Sequence, residues 1–201
     1  MTKLSGNSFT GICLIAAVAM PVLYFGSQVV AAPFYPGYSF SRDTASMLGT
    51  SFSRYPWIFN RGAILTGIAA LAGAIGLYRA FTGATNVVIA SLIGLSVAAT
   101  GVMSVKAGLF PMPDPRHASW GFLVAFTIAT PLLLLIGAWK QPATGLRLYL
   151  IASIFLILLL FPFLSGMAHT TLLQSGAFQR LFAVATFLPV GVVAHHFRRD
   201  S

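Results

Sequence analysis

The stretch NVVIASLIGLSVAATGVMSVK, residues 86–106, carries no charge until Lys106 closes it. A helix needs roughly 20 predominantly apolar residues to cross the hydrocarbon core of a bilayer, and this run meets that requirement. Ala90, Gly94 and Ala98 recur along it at a spacing of four. Small residues at that spacing share one helix face and let two backbones approach closely in lipid. The run just before it, residues 62–81, has the same device in Ala63 and Gly67 and in Ala69 and Gly73. A short turn around Thr82-Gly83 joins the two. They are expected to pack as a tight antiparallel hairpin, with Ala90, Gly94 and Ala98 against the earlier helix.

Four further apolar runs flank this hairpin, at residues 11–32, 119–139, 146–168 and 178–197. The first competes with a cleaved signal peptide, since Lys3 precedes it and Val30-Ala31-Ala32 ends it. It is longer than the usual 7–15-residue signal core, so a retained helix is expected. Pro21, Pro131, Pro162 and Pro189 fall inside runs; membrane helices tolerate such kinks where neighbours satisfy the freed carbonyls. The reading is an all-α integral membrane protein: one domain over residues 1–201, six transmembrane helices, and both termini on the same side.

Composition agrees. The chain is 57% hydrophobic and 7% charged, with a mean hydropathy of +0.86. A soluble domain carries roughly 25% charged residues, so too few charges are present to cover a water-facing surface. The net charge of +9 would suggest nucleic acid in a soluble protein. Here the basic residues lie mostly at the ends of apolar runs, where they meet lipid phosphates, and nucleic acid is not an expected partner. The single cysteine, Cys13, lies inside a run, so it forms no intramolecular disulfide.

The connections are unequal. Residues 81–85 and 140–145 make short, plain turns, whereas 33–61, 107–118 and 169–177 are longer and richer in polar groups. With six helices, parity puts all three rich connections on one membrane face. Lys3, Arg79, Lys140, Arg147, Arg198 and Arg199 fall on the terminal side, and Arg42, Arg54, Arg61, Lys106, Arg116 and Arg180 on the other. The positive-inside rule therefore ties. The flanking pair Arg198-Arg199 makes cytoplasmic termini the expectation.

The first rich connection contains Tyr35-Pro36-Gly37-Tyr38-Ser39-Phe40-Ser41-Arg42-Asp43-Thr44-Ala45-Ser46-Met47-Leu48-Gly49, followed by Phe59-Asn60-Arg61-Gly62. This resembles a bacterial and archaeal membrane family catalogued as domain of unknown function 998, which carries a YxxxRDxxSxLG segment after its first helix. A GLFPxD…H segment follows that family's third helix. It is matched here by Gly108-Leu109-Phe110-Pro111 and Asp114-Pro115-Arg116-His117, with Pro113 as an extra residue before the aspartate. Arg180 matches an arginine near the start of the last helix. The resemblance covers nearly the whole chain. It implies a six-helix bundle in a prokaryotic cytoplasmic membrane, and it implies no chemistry.

Structural roles account for part of these motifs. Ser41 or Asp43 could cap a short interfacial helix through Ala45, Met47 and Leu48, ended by Gly49. Asp114-Pro115 has the form of a helix start. His169 at a helix end gains from the dipole, and an arginine such as Arg180 can snorkel to phosphates. His195 and His196 read as interfacial, and Tyr35, Tyr38, Tyr55, Trp57 and Trp120 as an aromatic belt. What capping does not explain is the gathering of ionisable residues on one face, where charge near lipid is costly and marks function by default.

The candidate ligand-binding set is Arg42, Asp43, Ser46, Arg61, Asp114, Arg116, His117, His169 and Arg180. It is expected to converge on a polar cavity at the bundle mouth. One reading is a binding protein in which Arg42, Arg61, Arg116 and Arg180 hold an anionic lipid headgroup or another amphipathic molecule, or a membrane-protein partner. A second is a metal-dependent hydrolase or transferase acting on lipid, with Asp43, Asp114, His117 and His169 around the ion. A third is a b-type haem protein with His117 and His169 as axial ligands. A transporter or channel is the fourth, although no twofold repeat of the kind common in transporters is visible.

Overall fold

The computed structural model describes residues 8–117, 121–164 and 175–199. These contain six α-helices: α1 (Ser8–Ala31), α2 (Pro56–Thr82), α3 (Val87–Leu109), α4 (Phe122–Ala138), α5 (Thr144–Leu164) and α6 (Ser175–Arg199). All but α4 are long and apolar enough to cross a membrane. The 17 residues of α4 are at the lower end of the spanning range, and residues 118–120 before it lie outside the described set. Helix α2 begins earlier than the apolar run suggests, because Pro56 is pre-set for the first helical position and Trp57, Ile58 and Phe59 continue the apolar face. Asn86 caps α3, its side chain accepting from Ile89 N at 3.0 Å.

α2 lies between α1 and α3, and α6 packs on α1, α4 and α5. Close approach depends on glycine. A Cβ on Gly67 would stand 2.5 Å from the carbonyl of Gly101, and one on Gly101 would stand 2.9 Å from that of Gly67. Those two residues bring α2 and α3 into backbone contact. Gly73 and Gly76 do the same toward Ala17 and Cys13 of α1. Gly94 is buried and faces α2 as expected, but more loosely: its Cβ would meet the Tyr78 Cβ at 3.3 Å.

The outside of the bundle is apolar. Val22, Phe155 and Leu158 are each at least 66% exposed, a surface suited to lipid and one that aggregates in water. The core is apolar too, with Leu14, Ala17 and Met20 of α1 meeting Leu77, Ile93, Leu134 and Val190. The N-terminal end of α1 and the C-terminal end of α6 sit beside the end of α2. Arg79 lies over the Phe9 ring of α1 at 5.6 Å, and Phe81 packs on Phe197 of α6 at 4.6 Å. The N-terminal end of α1 and the C-terminal end of α6 therefore share one face.

Candidate functional site

At the opposite face the connection between α1 and α2 folds over the start of α6. The first turn of a helix leaves backbone donors without partners, and here the connection supplies acceptors. Gly176 N donates to Arg42 O at 3.2 Å and Ala177 N to Ser41 O at 2.8 Å. Ser175 Oγ adds a bond to Arg42 O at 2.8 Å. Position 176 must be glycine, because a Cβ there would collide with the carbonyls of Asp43 and Phe40.

Arg180, one turn further on, secures the same loop. Its Nη1 donates to Asp43 O at 2.9 Å, to Gly176 O at 3.0 Å and to Phe40 O. Its Nη2 donates to the Tyr38 hydroxyl, and the guanidinium lies 4.9 Å from the Phe40 ring centroid. A planar group with several fixed donors can hold diverging carbonyls in this way. Arg180 Nε is buried with no partner among the described residues.

Charges in the connections pair locally. Arg42 donates from Nε and Nη2 to the Asp43 carboxylate at 3.0 and 2.8 Å, and Ser39 N donates to Asp43 Oδ2 at 2.8 Å. The Arg42 bond holds the Asp43 carboxyl below the ordinary carboxylate range. Arg116 forks Asp114 at 3.0 and 2.7 Å while lying 3.9 Å over the Phe110 ring. That bond lowers the Asp114 carboxyl to about 2.

The capping expectations need correction. The turn Ala45–Gly49 is a short 3-10 helix whose N-cap, Thr44, makes no side-chain cap bond. Asp43 reaches back to Ser39 instead of forward, because Arg42 already fixes its carboxylate. Asp114 accepts from Arg116 N at 2.9 Å, a tight turn within the loop. The wider site needs correction as well. Arg61 does not join it: the side chain is exposed on α2, over Trp57 at 4.9 Å, where an indole face attracts the cation. His169, and with it the haem pair and one metal ligand, lies outside the described residues. Among the described residues no group of three His, Cys, Asp or Glu could hold a metal ion.

The second connection meets the first through His117. Its Nδ1 lies 2.8 Å from Phe110 O and its Nε2 3.0 Å from Ser46 Oγ. Lys106, buried at 5% exposure, donates to Arg116 O at 2.7 Å and His117 O at 3.2 Å. A buried ammonium needs such acceptors, and these fasten the loop bearing His117 to the end of α3.

Under this joint lies a cavity of about 220 Å³, reaching from Ala45 and Ser46 between α1, α2, α3, α4 and α6. Among the described residues its lining includes no charged side chain, in contrast to the expected charged mouth. The ions are satisfied in the loops, since an unpaired buried charge is expensive. Hydroxyls and one amide enter the cavity instead: Ser46, Thr100, Ser104, Thr127 and Gln179 beside Phe59, Phe182 and Phe187. Thr100 and Thr127 bond each other at 3.0 Å. Gln179 Oε1 accepts from Ala45 N at 2.7 Å. Sequence reasoning missed Ser104, Thr100 and Gln179, although Ser96, Thr100 and Ser104 repeat at a spacing of four, a polar stripe on an otherwise apolar helix.

Fold and site together define a six-helix integral membrane protein with an uncharged, hydroxyl-bearing cavity beneath a loop clasp. The chain belongs to the family described as Protein of unknown function (DUF998), whose model matches residues 17–196, in agreement with the motif resemblance. No curated protein and no solved structure matches it.

Proposed function

We propose that the chain binds an amphipathic small molecule inside the membrane, with an apolar body in the cavity and a neutral hydrogen-bonding group at the loop end. The observation that carries this is the cavity's lining. Ser46, Ser104 and Gln179 lie at that end, and the remaining wall is aromatic and aliphatic apart from Thr100 and Thr127, which bond each other. Small-molecule sites are mostly apolar concavities with a few placed polar groups. Ser104 Oγ and Gln179 Nε2 have no hydrogen-bond partner among the described residues, so a ligand can satisfy them at little cost. A neutral head fits better than the anionic headgroup expected from the arginines, because Arg42 is engaged by Asp43, Arg180 by backbone carbonyls and Arg61 by Trp57.

The test is thermal unfolding in lipid nanodiscs with and without 1-octanol, in the wild type and in Ala183→Phe, which fills the cavity. Octanol raises the Tm of the wild type and leaves the variant unchanged. Equal responses would reject the reading. The membrane orientation belongs to the same proposal: both termini face the cytoplasm, with Arg198 and Arg199 flanking α6. Labelling of cysteines placed at residues 2 and 201 in intact cells tests it, and reagent access to both from outside would reverse it.

A further inference from the structure

The bond between His117 and Ser46 has a chemical reading as well as a structural one. A backbone carbonyl only accepts hydrogen bonds, so Phe110 O at 2.8 Å places the proton of the neutral imidazole on Nδ1. The Nε2 lone pair is then directed at Ser46 Oγ, 3.0 Å away. A serine, a base within hydrogen-bond reach and a third group orienting that base form the arrangement that activates a hydroxyl for covalent catalysis. Lys106 holds the carbonyl of His117 itself, which fixes the base in place.

The serine also faces a substrate-sized space, because Ser46 lines the cavity. Gln179 contributes the remaining element. Its Oε1 is assigned by the bond from Ala45 N, so Nε2 is the donor end of an amide that is anchored to the residue before Ser46 and lines the same cavity. Such a donor can stabilise the oxyanion that develops when a carbonyl is attacked.

We propose that Ser46 is an acyl-transfer nucleophile, with His117 as its general base and Gln179 as oxyanion donor, acting on a carboxylic ester whose acyl chain occupies the cavity. This rests on the cavity's being a ligand site. Ser46 Oγ bonds to the ester carbonyl carbon while its proton passes to His117 Nε2. The alkoxide leaves, takes that proton and departs as the free alcohol, with the acyl group now on Ser46. Water, deprotonated by the same nitrogen, then attacks the acyl-serine, releasing the carboxylic acid and restoring the hydroxyl. A second alcohol in place of water gives transfer in place of hydrolysis.

The experiment uses decyl fluorophosphonate on the full chain in nanodiscs. Ser46 Oγ bonds to phosphorus, the P–F bond breaks, and fluoride leaves with the proton relayed by His117. Mass spectrometry of peptides locates the adduct on Ser46. Ser46→Ala abolishes it, and His117→Gln slows it by about 10²–10⁴-fold, the usual weight of a general base. Octanol stabilisation is measured in parallel on the same samples. Stabilisation retained without an adduct on wild-type Ser46 overturns the nucleophile and leaves the cavity reading standing. Loss of both overturns the two together. Labelling that is equal in wild type and His117→Gln overturns the role of the histidine, and the proposal with it.

Discussion

His117 Nε2 and Ser46 Oγ meet at 3.0 Å across 71 residues of chain, and that contact ties the connection after α1 to the connection after α3. Removing the hydroxyl leaves the ring nitrogen facing the cavity. A net hydrogen bond contributes about 0.5–1.5 kcal/mol, so Ser46→Ala lowers stability only modestly and remains folded. Chemical or thermal unfolding of the purified variant measures this. A loss well above that range would make the contact chiefly a structural tie.

Arg180 carries more of the clasp. Hydrogen bonds to charged groups contribute roughly 1.5–3 kcal/mol each, and Arg180→Met also leaves the Phe40 carbonyl without its donor and the Asp43 carbonyl with only the Tyr38 hydroxyl at 3.4 Å. We expect that variant to release the loop from α6, read as faster proteolysis between residues 36 and 54. Arg180→Lys does not restore protection, because one ammonium cannot span the acceptors that the fork reaches. Protection equal to wild type in Arg180→Lys would mean charge alone suffices.

The acid dependence follows from the carboxylates. Asp43 and Asp114 have folded values below the ordinary 3.8. A depressed carboxylate contributes stability that is present above its unfolded value and lost as pH falls through its folded value. For Asp114 that window runs from 3.8 down to about 2, and Arg116, exposed to solvent, makes the contribution small and sensitive to salt. Asp114→Asn therefore flattens the stability profile between those limits, lowers stability slightly at neutral pH, and converges with wild type at the acid end. An unchanged acid limb in both Asp114→Asn and Asp43→Asn would remove the ion pairs from the account.

Helix packing gives an ordered pair of substitutions. Overpacking a close contact costs typically about 1–3 kcal/mol. Gly101→Leu would drive a side chain into the Gly67 carbonyl, whereas Gly94→Leu meets the softer Tyr78 side chain in an open groove of α2 and α3. Gly101→Leu is the more damaging of the two by unfolding in detergent. The reverse order would contradict the packing.

How much of this was legible in the sequence follows from what sets each feature. Helix number and placement are fixed by the thickness of hydrocarbon, a local constraint, and the run at 86–106 became α3 with a shift of one residue at Asn86 and three at Leu109. The face shared by Arg42, Asp43, His117 and Arg180 followed from parity. The partners did not. Whether Arg180 binds a carboxylate or the carbonyl beside it depends on how the loop turns, and Arg61 turned toward Trp57 for the same reason. The cavity was hidden because its hydroxyls come from several helices whose rotations only packing decides. Gly101 was likewise overlooked beside the more regular Ala90, Gly94 and Ala98.

The central claim is that the cavity between α1, α2, α3, α4 and α6 holds a small amphipathic molecule, and native mass spectrometry of the protein extracted from its own membrane tests it most directly. The account predicts a retained small-molecule adduct on the wild type that is absent from Ala183→Phe. The same spectrum for both proteins, with no adduct or with one that survives filling of the cavity, would contradict it.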